Sequence, residues 1–166
     1  MFELEQFVAD CRVALKQESS HKFVREVVSR AVSDPAQVLK ALGGPKRAEM
    51  QILHRSDDLT ILNVIWAPWM TLLPHNHQMW AVIGIYTGRE DNIFWRRVPG
   101  TTGGKVEAAG ARALCTKDAE PLGPDIIHFR HESYSPFHWS HSRLWRRLLC
   151  SSAQRVGRRE PSGTRL

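Results

Sequence analysis

The feature that most constrains the fold is a series of short β-type runs that begins after Pro45. The runs are rich in β-branched and aromatic residues and span residues 59–66, 79–86, 92–98, 112–116 and 125–128. Turn-forming residues separate them at 56–58, 87–89, 99–104 and 121–124. Short strands at such spacing are typical of an all-β sandwich or barrel. We therefore expect a β-barrel core over residues 45–128.

The first 44 residues have a different periodicity. Apolar residues recur at roughly helical spacing from Phe2 to Leu15 and again from Phe23 to Ala31. Asp34 and Pro35 are a typical N-cap and first-turn pair, and the glycines that follow residue 42 end the helix. The predicted fold class is thus mainly β, with a helical segment over residues 1–44 in front of the barrel.

The net charge of +6 lies entirely in the last 38 residues, which hold eight arginines, two glutamates and no lysine. Residues 1–128 are electrically balanced. A nucleic-acid or membrane-binding interpretation would rest on this basic tail alone, so we expect neither partner.

Three cysteines without a CxxC pair, no secretory leader and no long apolar run predict a cytoplasmic protein.

A His-x-His pair, His75 and His77, lies between two apolar runs. On a strand, residues two apart face the same side, and imidazole is the commonest metal ligand among side chains. The next histidine is His128, at the end of a predicted strand, and no carboxylate lies four or five residues after His77. A three-histidine metal site is the natural completion. The alternatives are that the pair is a polar surface pair and that His128 merely ends a strand.

Residues 74–97 read PHNHQMWAVIGIYTGREDNIFWRR. Residues 59–128 resemble the cupin (double-stranded β-helix) enzymes of the thiol dioxygenase type, including cysteine dioxygenase and 3-mercaptopropionate dioxygenase. The resemblance is closer to bacterial metal-dependent cupins with the pattern PHxHxMWAVIGxYxGREDNxFxRR. It implies that His75, His77 and His128 bind Fe(II). It also implies that a small thiol and O2 are the partners and that the thiol is oxidised to a sulfinate.

Two points of the resemblance leave alternatives open. Three histidines also suit Zn, and Ni or Mn are further candidates, for a cupin with an isomerase, hydrolase or non-catalytic binding role. The arginine that holds the substrate carboxylate in animal cysteine dioxygenase falls at Glu49 here. Four other arginines are candidate substitutes or ordinary surface residues: Arg47, Arg55, Arg89 and Arg97.

The family pattern breaks immediately after His128. It should continue S-V-x-N-P and then A/S-I-H-V-Y-G-G-D-F-F, but residues 129–134 read FRHESY. The codons TTC CGT CAC GAA TCC TAT encode FRHESY, and without their first base they read S-V-T-N-P. With permitted codons, residues 129–150 shift to SVTNPIPRSTGAIHVYGGDFFA. Tryptophan has a single codon, so Trp139 and Trp145 must both become glycine, and both fall where the family has glycine.

We therefore interpret residues 129–166 as an aberrant basic tail produced by a one-base frameshift, with the closing strands of the barrel missing or disordered. The restored frame has a histidine fourteen residues after His128 and a tyrosine two residues later. These match the outer histidine and tyrosine of the thiol dioxygenases, so no catalytic side chain is assigned in this chain, which is expected to be impaired or inactive. Three tail histidines are then accidental, with replacement metal ligands as the alternative: His131, His138 and His141.

Overall fold

Three helices open the chain. The computed structural model describes residues 1–17, 21–44, 47–67, 70–101, 104–131 and 145–151. The helices are α1 (Leu4–Gln17), α2 (His21–Val32) and α3 (Pro35–Leu42). Helix α3 begins as predicted, because the Asp34 side chain accepts a hydrogen bond from the backbone N–H of Gln37 at 3.3 Å, and it ends at Gly43, whose φ is +75°. The predicted N-terminal helical segment is confirmed.

Nine strands follow in the described residues and form two antiparallel sheets. They are β1 (Glu49–Arg55), β2 (Thr60–Trp66), β3 (Thr71–His75), β4 (Ala81–Thr87), β5 (Arg89–Arg97), β6 (Val106–Cys115), β7 (Ala119–Leu122), β8 (Ile127–His131) and β9 (Trp145–Ser151). The five-stranded sheet has the order β1-β2-β9-β4-β7, and the four-stranded sheet has the order β3-β8-β5-β6. The predicted fold class is confirmed in its mainly β barrel of two antiparallel sheets behind a helical segment.

The five-stranded sheet is buried on both faces along its interior strand β4. On β4, Val82 and Tyr86 belong to the core shared with the helices, whereas Ile83 and Ile85 belong to the core between the two sheets. Helix α2 lies so close to β4 that a Cβ on Gly84 would collide with Cγ1 of Val28. The helical segment is therefore an outer layer of the barrel, which explains why β4 reads as an unbroken apolar run.

Several strand bounds differ from the prediction. Residues 121–122 were expected in a turn because of Pro121, yet they lie in β7. This strand is at the edge of its sheet and pairs only with β4, so the missing N–H of proline costs no ladder bond. Strands β1 and β3 were not predicted, because β1 is an edge strand of half-buried and exposed residues and β3 ends in Pro74 and His75.

The tail contributes two pieces to the barrel. Residues 129–131 continue β8, which spans Ile127–His131. β9 lies in the middle of the five-stranded sheet, paired with β2 and β4. Its residues 148–150 are buried because both faces of that sheet are covered. Of the closing strands that were expected to be missing or disordered, β9 is thus described, and the frameshift origin of the tail stays a prediction. The rest of the tail, residues 132–144 and 152–166, lies outside the described residues, as do His138 and His141.

Candidate metal centre

The structure brings His75, His77 and His128 together at one end of the barrel. One ring nitrogen from each lies within 4.8 Å of the others. The ring centroids are 5.3 Å apart for His75 and His77, 4.5 Å for His75 and His128, and 5.3 Å for His77 and His128. His128 is fully buried, whereas the other two are half-buried. A small molecule can therefore approach the group from the side of the His-x-His pair.

The two members of the His-x-His pair lie at the end of a strand and just beyond it. His75 is the last residue of β3 and stands opposite His128 of β8 in the sheet register. His77 lies beyond the strand, in a segment where Gln78 adopts a φ of +55°. The expectation that both histidines lie on one strand is therefore corrected, because β3 ends at His75 and His77 lies two residues beyond it. The bend at residues 78–79 follows His77.

Hydrogen bonds at the other ring nitrogens orient two of the three imidazoles. His75 Nδ1 lies 2.8 Å from the carbonyl oxygen of Leu73, which can only accept, so Nδ1–H donates. His128 Nδ1 lies 2.9 Å from Oδ1 of Asn92 and donates in the same way. In both residues Nε2 then carries the lone pair. Such outer hydrogen bonds fix the tautomer of histidine ligands in metal sites.

A chain of buried polar side chains continues behind His128. Asn92 Nδ2 donates to Oε1 of Glu90 at 3.2 Å, and Nε of Arg130 donates to Oε2 of Glu90 at 2.7 Å. The guanidinium of Arg130 lies over the ring of Trp66, 3.9 Å from its centroid. The chain arises from register: on β5 and β8, Asn92 stands opposite Arg130, and Phe94 stands opposite His128. Alternate residues of the two strands therefore meet inside the barrel.

The three histidines fit a transition metal ion. Imidazole nitrogens bind Zn or similar ions at about 2.0–2.1 Å, so two such nitrogens on one ion are at most about 4.2 Å apart. His77 Nε2 and His128 Nε2 are 3.2 Å apart, within that limit. The widest separation in the group, at most 4.8 Å, needs only a small side-chain adjustment. The group can hold a metal ion, and the donor set of three neutral imidazoles suits Fe, Zn, Ni and Cu.

The arginines considered as carboxylate anchors lie elsewhere. Arg47 is 3.7 Å from Glu49 and Arg89 is 2.8 Å from Asp91, in solvated pairs. Arg55 and Arg97 have exposed side chains. Among the arginines whose side chains the structure describes, Arg130 is buried in the barrel interior, and sequence reasoning assigned it to the aberrant tail.

Sequence reasoning also missed Glu90 and Asn92. Both occur in the matched segment GREDN, but such a charged run reads as a solvated face. The signal that identifies them is an inverted alternation on β5. Ile93 points outward and is 36% exposed, whereas Glu90 and Asn92 are each 2% exposed. Buried polar residues on alternate positions of a strand indicate a side-chain network rather than a surface.

Several solved structures resemble this chain in fold. An RmlC-like cupin with a double-stranded β-helix fold from Methanocaldococcus jannaschii is 7% identical, with a TM-score of 0.48 over 66% of this chain and 83% of that chain. KdgF from Halomonas sp. is 14% identical, with a TM-score of 0.47 over 68% of this chain and 86% of that chain. The DMSP lyase DddQ from Ruegeria pomeroyi is 15% identical, with a TM-score of 0.47 over 67% and 49% of the two chains. No family model and no curated protein matches the sequence.

Fold and site define a two-sheet β-barrel, similar in backbone to solved cupins, with a three-histidine group that can hold a metal ion. At identities of 7–15%, the likenesses concern the backbone fold and say nothing about substrate. None of the helices in the described ranges is long and apolar enough to cross a membrane.

Proposed function

We propose that this chain is a non-haem Fe(II) cupin of the thiol dioxygenase type, which oxidises a small thiol with O2 to a sulfinate. The observation that carries the proposal is the convergence of three neutral imidazoles in a site without a carboxylate among its three grouped ligands. A divalent ion held by neutral ligands keeps its full charge, which favours an anionic co-ligand such as a thiolate. The long match of residues 74–97 supports the thiol class.

The proposed reaction is balanced without a further reductant. A thiol, RSH, and one O2 give the sulfinic acid, RSO2H: both oxygen atoms add to sulfur, which is oxidised while O2 is reduced. The bound metal would supply O2 activation and orientation of the thiolate. The protein's own contribution is to fix the imidazoles, with His128 held from behind by Asn92, and to keep one side of the group open.

The first test compares metal binding with oxygen uptake. We expect anaerobically Fe(II)-loaded protein to bind about one ion per chain, and the frame-restored protein also to consume O2 with cysteine, cysteamine or 3-mercaptopropionate, giving a sulfinate that mass spectrometry detects. His128→Ala should abolish both, because it removes the buried ligand. His54→Ala is the matched control, since His54 contacts Ser56 in the β1–β2 hairpin and is not among the three grouped histidines.

A second candidate function is a Zn, Ni or Mn cupin with an isomerase, hydrolase or non-catalytic role. The same donor set favours it, because three histidines and an open position are a well-known zinc arrangement. Tight zinc binding without O2 uptake on any thiol would end the dioxygenase proposal in favour of this one. If metal-free protein binds none of these ions when they are added, both proposed functions are wrong.

The frameshift of residues 129–166 stays a prediction, and it bears on whether the chain turns over a substrate. The outer histidine and tyrosine of the restored frame are absent from the sequence as given. Genomic DNA across the codons for residues 120–166 decides the matter. If the DNA shows a one-base shift after the codon for His128, we expect the restored protein to have both the longer family pattern and full activity. DNA that encodes residues 129–166 in the same frame as residues 1–128 would contradict the frameshift hypothesis.

A further inference from the structure

We infer that Asn92 and Glu90 are positioning residues that fix which nitrogen of His128 carries the proton, with Arg130 holding the pair in one orientation. The use of this arrangement depends on the proposed metal centre, whereas the evidence for it is the geometry of the buried side chains. The four residues form one chain of hydrogen bonds inside the barrel, from the guanidinium to the imidazole.

The first link is the ion pair of Arg130 and Glu90. The two side chains are 0% and 2% exposed and lie 2.7 Å apart, between Nε and Oε2. Arginine keeps its charge in proteins, so the carboxylate beside it stays ionised. An ionised carboxylate can only accept hydrogen bonds. Oε1 of Glu90 therefore presents an acceptor, and never a donor, to Asn92.

The second link removes the ambiguity of the Asn92 amide. An asparagine amide can in principle be turned either way, since its oxygen and nitrogen have similar shape. If it were turned over, its oxygen would face the Glu90 carboxylate, and two acceptors would meet without water. With Nδ2 toward Oε1 at 3.2 Å, the amide oxygen must point at His128. Glu90 thus sets the orientation of Asn92.

The third link sets the tautomer of His128. The amide oxygen can only accept, so Nδ1 of His128 carries the proton at 2.9 Å. Nε2 is then the acceptor nitrogen, facing Nε2 of His77 at 3.2 Å, and His77 must donate in the metal-free protein. The tautomer that a metal needs at His128 is thereby present before any metal arrives.

Asn92 stands between His128 and Glu90, and this amide relay affects the imidazole differently from a carboxylate in direct contact with it. In this barrel the imidazole touches a neutral amide, and the negative charge of Glu90 lies one residue further away and is balanced by Arg130. A carboxylate in direct contact raises the basicity of a histidine ligand. Asn92 therefore orients His128 and leaves the metal site close to its full positive charge.

The first experiment reads the tautomers in the metal-free wild-type protein. Long-range ¹H–¹⁵N correlation spectra at about pH 8.5, where ordinary imidazole is neutral, should show His128 protonated at Nδ1 and His77 protonated at Nε2. The spectrum is assigned by loss of the corresponding signals in His128→Ala and His77→Ala. His128 protonated at Nε2 would overturn the inference, whatever the metal and the reaction prove to be.

The second experiment measures Zn²⁺ affinity by chelator competition. Asn92→Ala should weaken binding about 10- to 100-fold, as expected for loss of an outer hydrogen-bond partner, and should leave His128 as a mixture of tautomers. Asn63→Ala is the matched control, since Asn63 is also buried and hydrogen-bonded, to Tyr86 and Gln51, but makes no bond to the histidines. Equal losses in both variants would contradict a positioning role and indicate general loosening of the barrel.

A swap variant separates positioning from folding. Glu90→Gln combined with Asn92→Asp keeps the net charge and the order of donors: Arg130 to the new amide oxygen, the new amide to the new carboxylate, and His128 to that carboxylate. We expect the Nδ1–H tautomer and an affinity at least equal to wild type. Glu90→Gln alone should instead give the Nε2–H tautomer, because the new amide N–H faces Asn92 and turns its NH2 group toward His128. Failure of the swap to restore the tautomer overturns the relay. If wild-type protein binds no Zn²⁺ or Fe²⁺, the proposed function fails while the tautomer result still stands or falls by itself.

Discussion

Arg130 and Glu90 form their ion pair inside the barrel, where the side chains are 0% and 2% exposed. A buried ion pair is costly to build, because both charges lose water, and costlier to break, because one charge is left uncompensated. The stacking of Arg130 on Trp66 adds a contact that only a planar cation can make. At the residue scale, the barrel interior is thus stabilised by an ion pair and a cation–π contact as well as by apolar packing.

Arg130→Val should lower the free energy of unfolding by about 3–5 kcal/mol, because Glu90 then stays buried without its partner. Urea denaturation followed by tryptophan fluorescence measures the change. The matched control is Arg112→Val: Arg112 pairs with Glu120 at 2.6 Å, but its side chain is 55% exposed. That surface variant should cost less than about 1 kcal/mol, and similar losses in the two variants would contradict the role given to Arg130.

The three histidines of the candidate site could be found from sequence, whereas the residues behind them could not. Spacing and resemblance single out His75, His77 and His128, and the structure groups them; that they bind a metal stays a proposal. Glu90 and Asn92 face inward only because of the register of β5 against β8. Register depends on the whole sheet, so a charged segment read alone predicts a solvated face.

At the scale of elements, α2 makes a close contact with β4. Gly84 lies in the middle of β4, where an added Cβ would collide with Val28 and lie 2.8 Å from Cγ1 of Val32. The absence of a side chain lets the helix approach the sheet closely. The packing of the helical segment against the barrel therefore depends on the absence of a side chain at Gly84.

Gly84→Ala should destabilise the protein by about 1–3 kcal/mol, because α2 must move away or Val28 and Val32 must leave their rotamers. Thermal or urea unfolding measures the loss. Gly44→Ala provides the control, since a Cβ at Gly44 meets nothing within 4 Å. If the two variants unfold at the same midpoint, the close approach of α2 does not constrain the fold.

Elements with strong local signals were predictable. Helix α3 carries its cap residues, and β2 and β4 carry apolar runs, so their positions follow from sequence to within about two residues. The second half of β7, residues 121–122, reads as a turn because Pro121 outweighs its neighbours. β9 was missed because its burial comes from strands far away in the chain, which local patterns do not report.

At the scale of the whole molecule, β9 joins the layers, since Cys150 on β9 and Cys11 on α1 lie in one core. A side-chain hydrogen bond with Cys11 is the main cause that raises the pKa of the Cys150 thiol well above its ordinary value, and burial is the second cause. The folded protein therefore keeps a proton that the unfolded chain releases above about pH 8.5. The stability contributed by the neutral thiol is complete below that pH and is lost as the pH rises toward the folded pKa.

Wild-type protein should accordingly lose up to about 1.4 kcal/mol of unfolding free energy per pH unit above pH 8.5 from this thiol alone. Urea denaturation at about pH 7, 8.5 and 10 measures the slope. Cys150→Ala should show a shallower decline than wild type, and Cys115→Ala, which changes an exposed cysteine, should not. Parallel declines in all three proteins would contradict this assignment.

The central place of β9 also determines the order in which the barrel can assemble. Ser151 pairs with Thr60 on one side and with Ala81 on the other, so β2 and β4 gain their shared neighbour only after most of the chain has been synthesised. Until then each presents an open row of backbone donors and acceptors, the kind of edge that recruits other chains. Closing so long a loop is slow, and contacts of this range lower folding rates. A ribosome that stops before residue 145 would thus release a sheet with a gap at its centre, and the yield of native protein depends on how quickly that gap is filled.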